Sequence, residues 1–255
     1  MMLPSPKDAL HRGQMYRVLT AIADSSFLSR SLIFKGGTCA AMQGCLDRFS
    51  VDLDFDLAPG ISKDEVKKNL GGVFERLGLT VKSESIHAVQ YVLKYTSFKG
   101  YRNTLNIDAV SHTLDYSVYT PIYLTDIDRY FICQTIETMF AHKLVALMDR
   151  YDKHKSLAGR DVYDIYYFFV NGYSYNNQVI AKRTGESVLQ FFLKLKDFVE
   201  EKVGLKIIEE DINTLLPYSK FNAIRKTLKI EVLGILKDEI GRLQNENSEI
   251  FAGKT

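Results

Sequence analysis

The sequence has few cysteines and no long apolar run. Its three cysteines are Cys39, Cys45 and Cys133, an odd number without a paired C-x-x-C spacing, which argues against both a disulfide framework and a zinc site. The N-terminal segment lacks the apolar core of a signal peptide, and no later run approaches membrane-spanning length. We therefore expect a protein of the reducing cytoplasm with no membrane partner.

The chain also lacks a charge excess of either sign. Lysines and arginines number 33 against 31 aspartates and glutamates, for a net charge of +2, which neither requires nor excludes a nucleic-acid partner. A hydrophobic fraction of 46% and a charged fraction of 25% are typical of globular proteins and argue against disorder. The 255 residues suffice for two modest domains, which we favour over one large domain.

Hydrophobic periodicity predicts helices and strands in the first half of the chain. The predicted helices cover 7–24, 38–46 and 62–78, with Thr38 as a possible N-cap of the second. The predicted strands cover 32–37, 50–57, 79–86, 89–98, 103–112 and 118–124. Pro121 restricts the last of these to the edge of a sheet, because proline cannot donate to the hydrogen-bond ladder.

From about Ile132 the strand pattern ends and helical spacing replaces it. Helices are predicted over 134–152, 160–170, roughly 176–202 and roughly 219–245. We therefore predict an α+β fold in which a mixed sheet with flanking helices, over 1–128, is followed by a helical bundle over 129–255. No composition-marked linker separates the halves, so we expect them to pack closely.

A double glycine follows the first predicted strand, in the stretch "KGGTCAAMQGCLDRFSVDLDFDL" from Lys35 to Leu57. Gly36 and Gly37 lack a Cβ and so allow close approach of the backbone to a ligand. The amides at the start of the next helix, beside Thr38, would favour phosphate oxygens. This pattern favours a phosphate cradle, although a double glycine can also form an ordinary turn.

Three aspartates alternate along the strand that follows. Asp52, Asp54 and Asp56 share one of its faces, and alternate positions are roughly 6.5–7 Å apart, so two carboxylates can hold metal ions. Asp108 lies on another predicted strand and reaches the same place if the two strands are neighbours. Alternating aspartates also mark the wet face of ordinary strands. Together with the glycine turn, however, they match the signature of polymerase-β-like nucleotidyltransferases.

Two motif blocks carry a closer resemblance. The first block resembles the K-G-G-T-x-L and R-[FY]-S-x-D-[LI]-D-F motifs of the AbiEii/AbiGii-type nucleotidyltransferase toxins. Its matching residues are Lys35, Gly36, Gly37, Thr38, Arg48, Phe49, Ser50, Asp52, Leu53, Asp54 and Phe55. It departs from the usual pattern only at Cys39 and Ala40, which replace a small residue and a leucine.

The second block is similar to the family's A-x-K-L-x-A-L-x-x-R and R-D-x-x-D-[IL] motifs. Its matching residues are Ala141, Lys143, Leu144, Ala146, Leu147, Arg150, Arg160, Asp161 and Asp164. It departs from the usual pattern at His142, which replaces a common glutamate. The two blocks occur in the expected order within residues 35–170, whereas the segment after 171 carries no recognised motif.

The resemblance implies a minimal polymerase-β-type domain joined to a helical bundle. It also implies transfer of a nucleoside monophosphate from an NTP, with Mg²⁺ or Mn²⁺ and release of pyrophosphate. Relatives act as toxins of bacterial toxin–antitoxin or phage-exclusion systems, some of them by adding nucleotides to tRNA 3′ ends. The implied partners are therefore an NTP, an RNA acceptor such as tRNA, and a cognate antitoxin protein.

The resemblance and the chemistry together assign candidate roles. The metal ligands are Asp52, Asp54 and Asp108, the last of which could also help to deprotonate the acceptor hydroxyl. The nucleotide-binding residues are Gly36, Gly37, Thr38, Arg48, Ser50, Lys143 and Arg150. Lys143 would neutralise charge as pyrophosphate leaves. Asp161 and Asp164 would orient Lys143 or accept a proton, so that the helical domain contributes these three side chains to the cleft.

The second block also permits plainer interpretations. Asp161 could be a helix N-cap with Asp164 as the acid of a capping box, Arg160 and Asp164 could form an i,i+4 pair, and Lys143 could be a solvated surface lysine. A cluster of cations and histidines near this block, which we call the basic patch, suits an RNA acceptor but also suits a solvated surface. The basic patch comprises His142, Lys143, Arg150, Lys153, His154, Lys155 and Arg160, with further charge at Lys182–Arg183 and Arg225–Lys226.

Two other functions fit parts of the pattern. A kinase on the same fold would transfer the γ-phosphate, and a non-catalytic member would bind only RNA or an antitoxin. The intact acid pair argues against the non-catalytic alternative, whereas only the position of the transferred phosphate separates a kinase from a nucleotidyltransferase.

Overall fold

A computed structural model of the chain describes residues 2–111 and 116–252. The chain divides into two compact units, Met1–Thr135 and Ile136–Thr255. The first unit contains a mixed sheet with flanking helices and the second is helical, so the predicted fold class is confirmed. His112, the last residue of the strand predicted over 103–112, lies outside the described residues.

The first unit is built on a seven-stranded sheet of order β3-β4-β5-β2-β1-β7-β6. Its strands are β1 (Leu32–Lys35), β2 (Asp52–Leu57), β3 (Thr80–Glu84), β4 (Val89–Lys94), β5 (Thr104–Val110), β6 (Tyr119–Leu124) and β7 (Arg129–Gln134). β2 pairs antiparallel with β1 and parallel with β5, which places it in the middle of the sheet. β6 is an outermost strand, as Pro121 predicted.

The prediction missed strand β7. Its alternating pattern was present in the sequence, since Phe131 and Cys133 are buried while Tyr130 and Ile132 are exposed. The run is short and directly precedes the long helix that begins at Ile136. The helical spacing that starts there was therefore assigned to the whole segment. It extends the sheet beyond β1 and lies beside β6.

The helices of the first unit are α1 (Ala9–Ala23), α2 (Leu28–Ser31), α3 (Gly36–Met42) and α4 (Lys63–Arg76). The prediction that Thr38 caps α3 is wrong, because the helix begins at Gly36 and its N-cap is Lys35. Side chains alternate strictly along the central strands: Leu53 and Phe55 are fully buried, and the intervening aspartates project from the opposite face.

The second unit consists, in its described part, of the helices α5 (Ile136–His154), α6 (Gly159–Val170), α7 (Asn177–Thr184), α8 (Val188–Lys202), α9 (Leu205–Ile212), α10 (Tyr218–Ile224) and α11 (Leu228–Ala252). The single helix predicted over 176–202 is two helices, because Gly185 adopts a left-handed φ of 72° and ends α7. α6 contacts α5, α9 and α11, so it lies at the centre of this unit. In the described part of the chain, no helix combines the length and apolarity needed to cross a membrane.

Gly159 tests how tightly the helical unit is packed, and Gly71, in the first unit, serves as its control. A Cβ on Gly159 would lie 2.5 Å from the Ile207 carbonyl oxygen and 2.7 Å from the Ile208 Cα, whereas one on Gly71, in α4, would meet nothing within 4 Å. We expect Gly159→Ala to lower the free energy of unfolding by about 1–3 kcal/mol through overpacking. Gly71→Ala should raise it by about 0.5–1 kcal/mol through helix propensity. Urea unfolding measures both, and equal changes would show that α9 does not lie against Gly159.

Candidate active site

Asp54 lies in the middle of a row of polar side chains that crosses the sheet. In the strand register Asp54 is opposite Lys35 of β1 on one side and opposite Asp108 of β5 on the other, and Gln90 of β4 is opposite Asp108. Residues that pair directly across strands share a face of the sheet, with backbones about 4.8 Å apart. The condition set for Asp108, that its strand neighbours the D-x-D strand, is therefore met in the sheet register.

Two amide side chains orient the acids. Asn106 Nδ2 donates to Asp52 Oδ1 at 2.9 Å, and Gln90 Nε2 donates to Asp108 Oδ2 at 3.3 Å. Burial raises the pKa of the Asp108 carboxyl, and the charge of Lys35 and the hydrogen bond from Gln90 offset only part of that rise. The sequence analysis missed both amides. The alternation of Asn106 and Asp108 along one strand was the available signal.

The acids line a cavity of about 520 Å³ above strands β2 to β5, a volume within the usual range for small-molecule sites. Its walls include four carboxylates, those of Asp52, Asp54, Glu84 and Asp108, and no basic side chain among the described residues that line it. The cavity is therefore strongly negative. It repels an anionic ligand unless cations enter with that ligand.

Gly36 makes room for the Asp54 carboxylate. Its φ is +79°, a left-handed conformation that side-chain-bearing residues rarely adopt, and a Cβ there would lie 2.5 Å from Asp54 Oδ2. The sequence predicted a close approach of a ligand to this glycine. The group that approaches it within the described protein is the carboxylate.

Buried side chains fix the loop that leads into β2. A Cβ on Gly37 would lie 2.9 Å from Arg48 Nη2 and 3.0 Å from Ser50 Oγ. Thr38 is buried and donates its hydroxyl to the Asp52 carbonyl at 2.5 Å. Arg48 is also buried and donates to the Phe49 carbonyl at 2.9 Å. These contacts hold the entry to β2 against α3, and phosphate binding by these residues stays a prediction.

The third aspartate of the run differs from the other two. Asp56 is only 2% exposed and accepts three hydrogen bonds, from Lys35 Nζ at 2.6 Å, Gln134 Nε2 at 2.7 Å and Tyr119 OH at 3.0 Å. A buried carboxylate with this many donors is satisfied within the protein. It therefore holds Lys35 in place, and it is not among the residues that line the cavity.

The chemistry of the cavity fits a divalent cation. Carboxylate oxygens are the ligands that Mg²⁺ and Mn²⁺ prefer, and the opposition of Asp54 and Asp108 is costly without a cation. In the described parts of the chain, no three His, Cys, Asp or Glu side chains form a ready-made metal cluster. The residues thus supply suitable donors, of which Asp54 and Asp108 are directly paired in the sheet.

A second charged cluster lies within the helical unit. Lys143 of α5 is 2.7 Å from Asp161 Oδ1 and 3.1 Å from Asp164 Oδ2, both on α6 and both fully buried. Arg150 Nη2 is 3.6 Å from Asp161 Oδ2. That oxygen is buried and accepts no hydrogen bond from the described residues. The structure brings together four residues of the second motif block.

Two of the plainer interpretations of this block are wrong. The N-cap of α6 is Ala158 and no side chain caps the helix, so Asp161 is not the cap of a capping box. The Lys143 side chain is 19% exposed and ion-paired, so it is not a solvated surface lysine. Burial alone would raise the pKa of Asp161, but the charge and hydrogen bond of Lys143, together with the charges of Arg150 and Arg160, outweigh it, and the pKa lies below its usual value.

Some charges of the basic patch are neutralised within the protein. Arg183 pairs with Asp149 and hydrogen-bonds His142 Nδ1 at 2.9 Å, and Arg225 lies 2.9 Å from Glu209. Lys153 and Lys155 are exposed. RNA binding by this surface stays a prediction.

The contact between Gly36 and Asp54 can be isolated with a matched control. Gly44 has a φ of +76°, close to the +79° of Gly36, but a Cβ there would meet nothing within 4 Å. We expect Gly44→Ala to cost about 1 kcal/mol of backbone strain and Gly36→Ala to cost about 1–3 kcal/mol more, because the methyl displaces the carboxylate. Urea unfolding of the two variants measures the difference. Equal losses would contradict the close approach.

The ion pairs of Lys143 predict an unusual pH response. Because the pKa of Asp161 is lowered by folding, the pair stabilises the wild type above about pH 4, and this contribution is lost as the pH falls further. Lys143→Met leaves two carboxylates buried without their main partner, so we expect a loss of about 3–5 kcal/mol at pH 7. Without Lys143, burial raises the pKa of Asp161, so the variant should gain stability as the pH falls from 7 to 5 while the wild type does not.

Urea unfolding at several pH values provides this measurement. Lys182→Met, at an exposed position on α7, is the control and should follow the wild type. A Lys143→Met variant whose loss of stability is the same at pH 5 and pH 7 would show that the lysine does not neutralise the buried acids.

Comparison with solved structures shows that the fold is shared with other proteins. JHP933 from Helicobacter pylori superimposes with a TM-score of 0.62 at 20% identity, covering 100% of both chains. MenT4, a nucleotidyltransferase toxin from Mycobacterium tuberculosis H37Rv, superimposes with a TM-score of 0.53 at 19% identity, covering 92% of this chain and 87% of MenT4. No curated protein sequence gives a significant match.

Comparison with family models identifies the sequence family. Residues 17–228 match the model described as nucleotidyl transferase AbiEii toxin, type IV toxin–antitoxin system. The match spans both motif blocks, from the glycine turn to the Lys143 cluster, and confirms the resemblance read from them. The chain therefore belongs to the AbiEii family of nucleotidyltransferase toxins of type IV toxin–antitoxin systems.

Proposed function

We propose that this nucleotidyltransferase moves a nucleoside monophosphate from an NTP to an RNA acceptor, with Mg²⁺ or Mn²⁺ held by Asp52, Asp54 and Asp108. One observation carries the proposal. The described cavity walls contain four carboxylates and no basic side chain, an arrangement that suits an anionic triphosphate only when divalent cations accompany it.

The energetic argument follows from charge. Two like charges 4 Å apart repel by about 1 kcal/mol in water and about 4 kcal/mol at the effective dielectric of a protein surface. A triphosphate beside Asp54 and Asp108 would meet several such repulsions. Divalent ions held by these carboxylates would turn the repulsion of the triphosphate into attraction, and would supply activation of the acceptor hydroxyl and stabilisation of the pyrophosphate.

The chain's own residues then have separate tasks. The Asn106 and Gln90 amides orient the carboxylates of Asp52 and Asp108. Asp108, which lines the cavity, is proposed to accept the proton of the acceptor hydroxyl. The backbone around Gly36 and Gly37 and the side chains of Thr38, Arg48 and Ser50 are proposed to shape the turn that receives the phosphates.

Within the helical unit, Lys143 is proposed to bind phosphate oxygens of the nucleotide, with Arg150 assisting and Asp161 and Asp164 orienting the lysine. The two buried carboxylates at 2.7 and 3.1 Å support this role, because they keep the ammonium charged and fix its direction. The same contacts make Lys143 important for stability. Activity measured on Lys143 variants must therefore be compared with their folded fraction.

RNA as acceptor, with the tRNA 3′ end as its candidate site, is supported by exposed cations such as Lys153 and Lys155. A cognate antitoxin protein is proposed because the family belongs to toxin–antitoxin systems.

The reaction can be tested with labelled nucleotides. The full chain is incubated with Mg²⁺, total bacterial RNA and each NTP labelled at the α- or the γ-phosphate, and the RNA is resolved on a gel. We expect label to enter RNA from the α position only. Asp54→Asn and Asp108→Asn should each lower the rate by about 10³-fold or more, with free energies of unfolding within about 1 kcal/mol of wild type because like-charge repulsion is relieved.

The control variant is Asp64→Asn, at an exposed position in the first turn of α4, which should retain full activity. Transfer of the γ-label would indicate a kinase. Full activity in Asp54→Asn would remove the metal-binding role of the pair, and labelling of a protein instead of RNA would change the acceptor class.

A further inference from the structure

Lys35 is the cation nearest to the acid pair in the register of the sheet. It lies directly opposite Asp54, which lies directly opposite Asp108. Its ammonium is 2.6 Å from Asp56 Oδ1, and the two side chains are 23% and 3% exposed. The order across the three strands is therefore cation, acid, acid.

Asp56 fixes the position of the Lys35 ammonium. Besides Lys35, it accepts hydrogen bonds from Tyr119 of β6 and Gln134 of β7, which are opposite each other in the register. With three donors around one buried carboxylate, its position is determined from three strands at once. We call Asp56, Tyr119 and Gln134 the lysine clamp.

The charge of Lys35 acts on the metal site in two ways. Before a metal ion binds, it attracts Asp54 and Asp108 and reduces the cost of holding two like charges together. Once a divalent ion is present, the same charge repels it. A unit charge about 6 Å from a divalent ion changes the affinity by about tenfold at a water-like dielectric.

We propose that Lys35, held beside the pair at a fixed distance by the lysine clamp, is a positioning residue that serves as a built-in counter-cation of the Asp54–Asp108 pair. It holds the carboxylates together in the metal-free enzyme and limits how tightly the divalent ion binds, so that the ion can leave with the product. This inference rests on the proposed metal site and adds the residue that sets its affinity.

The test measures binding of Mn²⁺ alone to the full chain, together with the melting temperature in a chelator. We expect Lys35→Met to bind Mn²⁺ about tenfold more tightly than wild type and to melt at a lower temperature without metal. If Lys35 had a merely structural role, Lys35→Met would lower the melting temperature without tightening Mn²⁺ binding. Lys35→Arg, which keeps the charge, should stay close to the wild-type affinity.

Asp56→Asn should change the affinity in the opposite direction. With the clamp weakened, the ammonium is free to turn toward Asp54 and Asp108, and Mn²⁺ should bind more weakly than to wild type. The double variant of Lys35→Met with Asp56→Asn should bind like Lys35→Met alone, because the clamp acts only through the lysine. If Asp56→Asn does not fold, the Lys35 variants still decide the question.

The matched control is Lys94→Met, which removes an exposed lysine from the same face of the sheet, four residues along β4 from Gln90. At about 13 Å along the strand it should not alter the affinity. If the wild type binds Mn²⁺ but Lys35→Met binds it no more tightly than Lys94→Met does, the inference about Lys35 is wrong and the proposed metal site still stands. A wild-type chain that binds no Mn²⁺ would overturn the proposed metal site, and the inference with it.

Discussion

The alignment of two like charges across neighbouring strands is the constraint on which the candidate site depends. Asp54 and Asp108 pair in register at the centre of the sheet, where an ordinary protein would place opposite charges or neutral side chains. The surroundings relieve this repulsion without removing it. Gly36 gives the Asp54 carboxylate space, Gln90 donates to Asp108, and Lys35 supplies one positive charge nearby. The cavity stays negatively charged, because four carboxylates and no basic side chain are among its described lining residues, and such a cavity favours cations.

The two units of the chain treat acidic residues in opposite ways. In the first unit, the acids line an open cavity without basic neighbours among its described walls. In the second unit, Asp161 and Asp164 are fully buried and share Lys143 as an ion-pair partner, at 2.7 and 3.1 Å. Burial without a partner would cost several kcal/mol, so the second arrangement holds a lysine in a fixed position, whereas the first places its carboxylates on the walls of a cavity.

Much of the fold followed from local patterns. Alternation predicted β2 with its buried leucine and phenylalanine, and Pro121 predicted the edge strand, because both signals reflect the immediate backbone geometry. Strand β7 was missed because its short alternation runs directly into a helix. The capping-box interpretation of Asp161 failed because capping depends on which residue leaves the helical conformation, and here that residue is Ala158.

The sequence by itself determined the family, the motif residues and the acid-bearing strands, since these depend on residue identity and short-range spacing. Asp56 shares a strand face with Asp52 and Asp54. The sequence could not show that Asp56 binds Lys35 within the protein and does not line the cavity. That outcome depends on Tyr119 and Gln134, more than 60 residues away in sequence, meeting the carboxylate through β6 and β7. Likewise, only the register of the folded sheet placed Lys35, Asp54 and Asp108 in one row, because pairing between distant strands is decided by packing of the whole sheet.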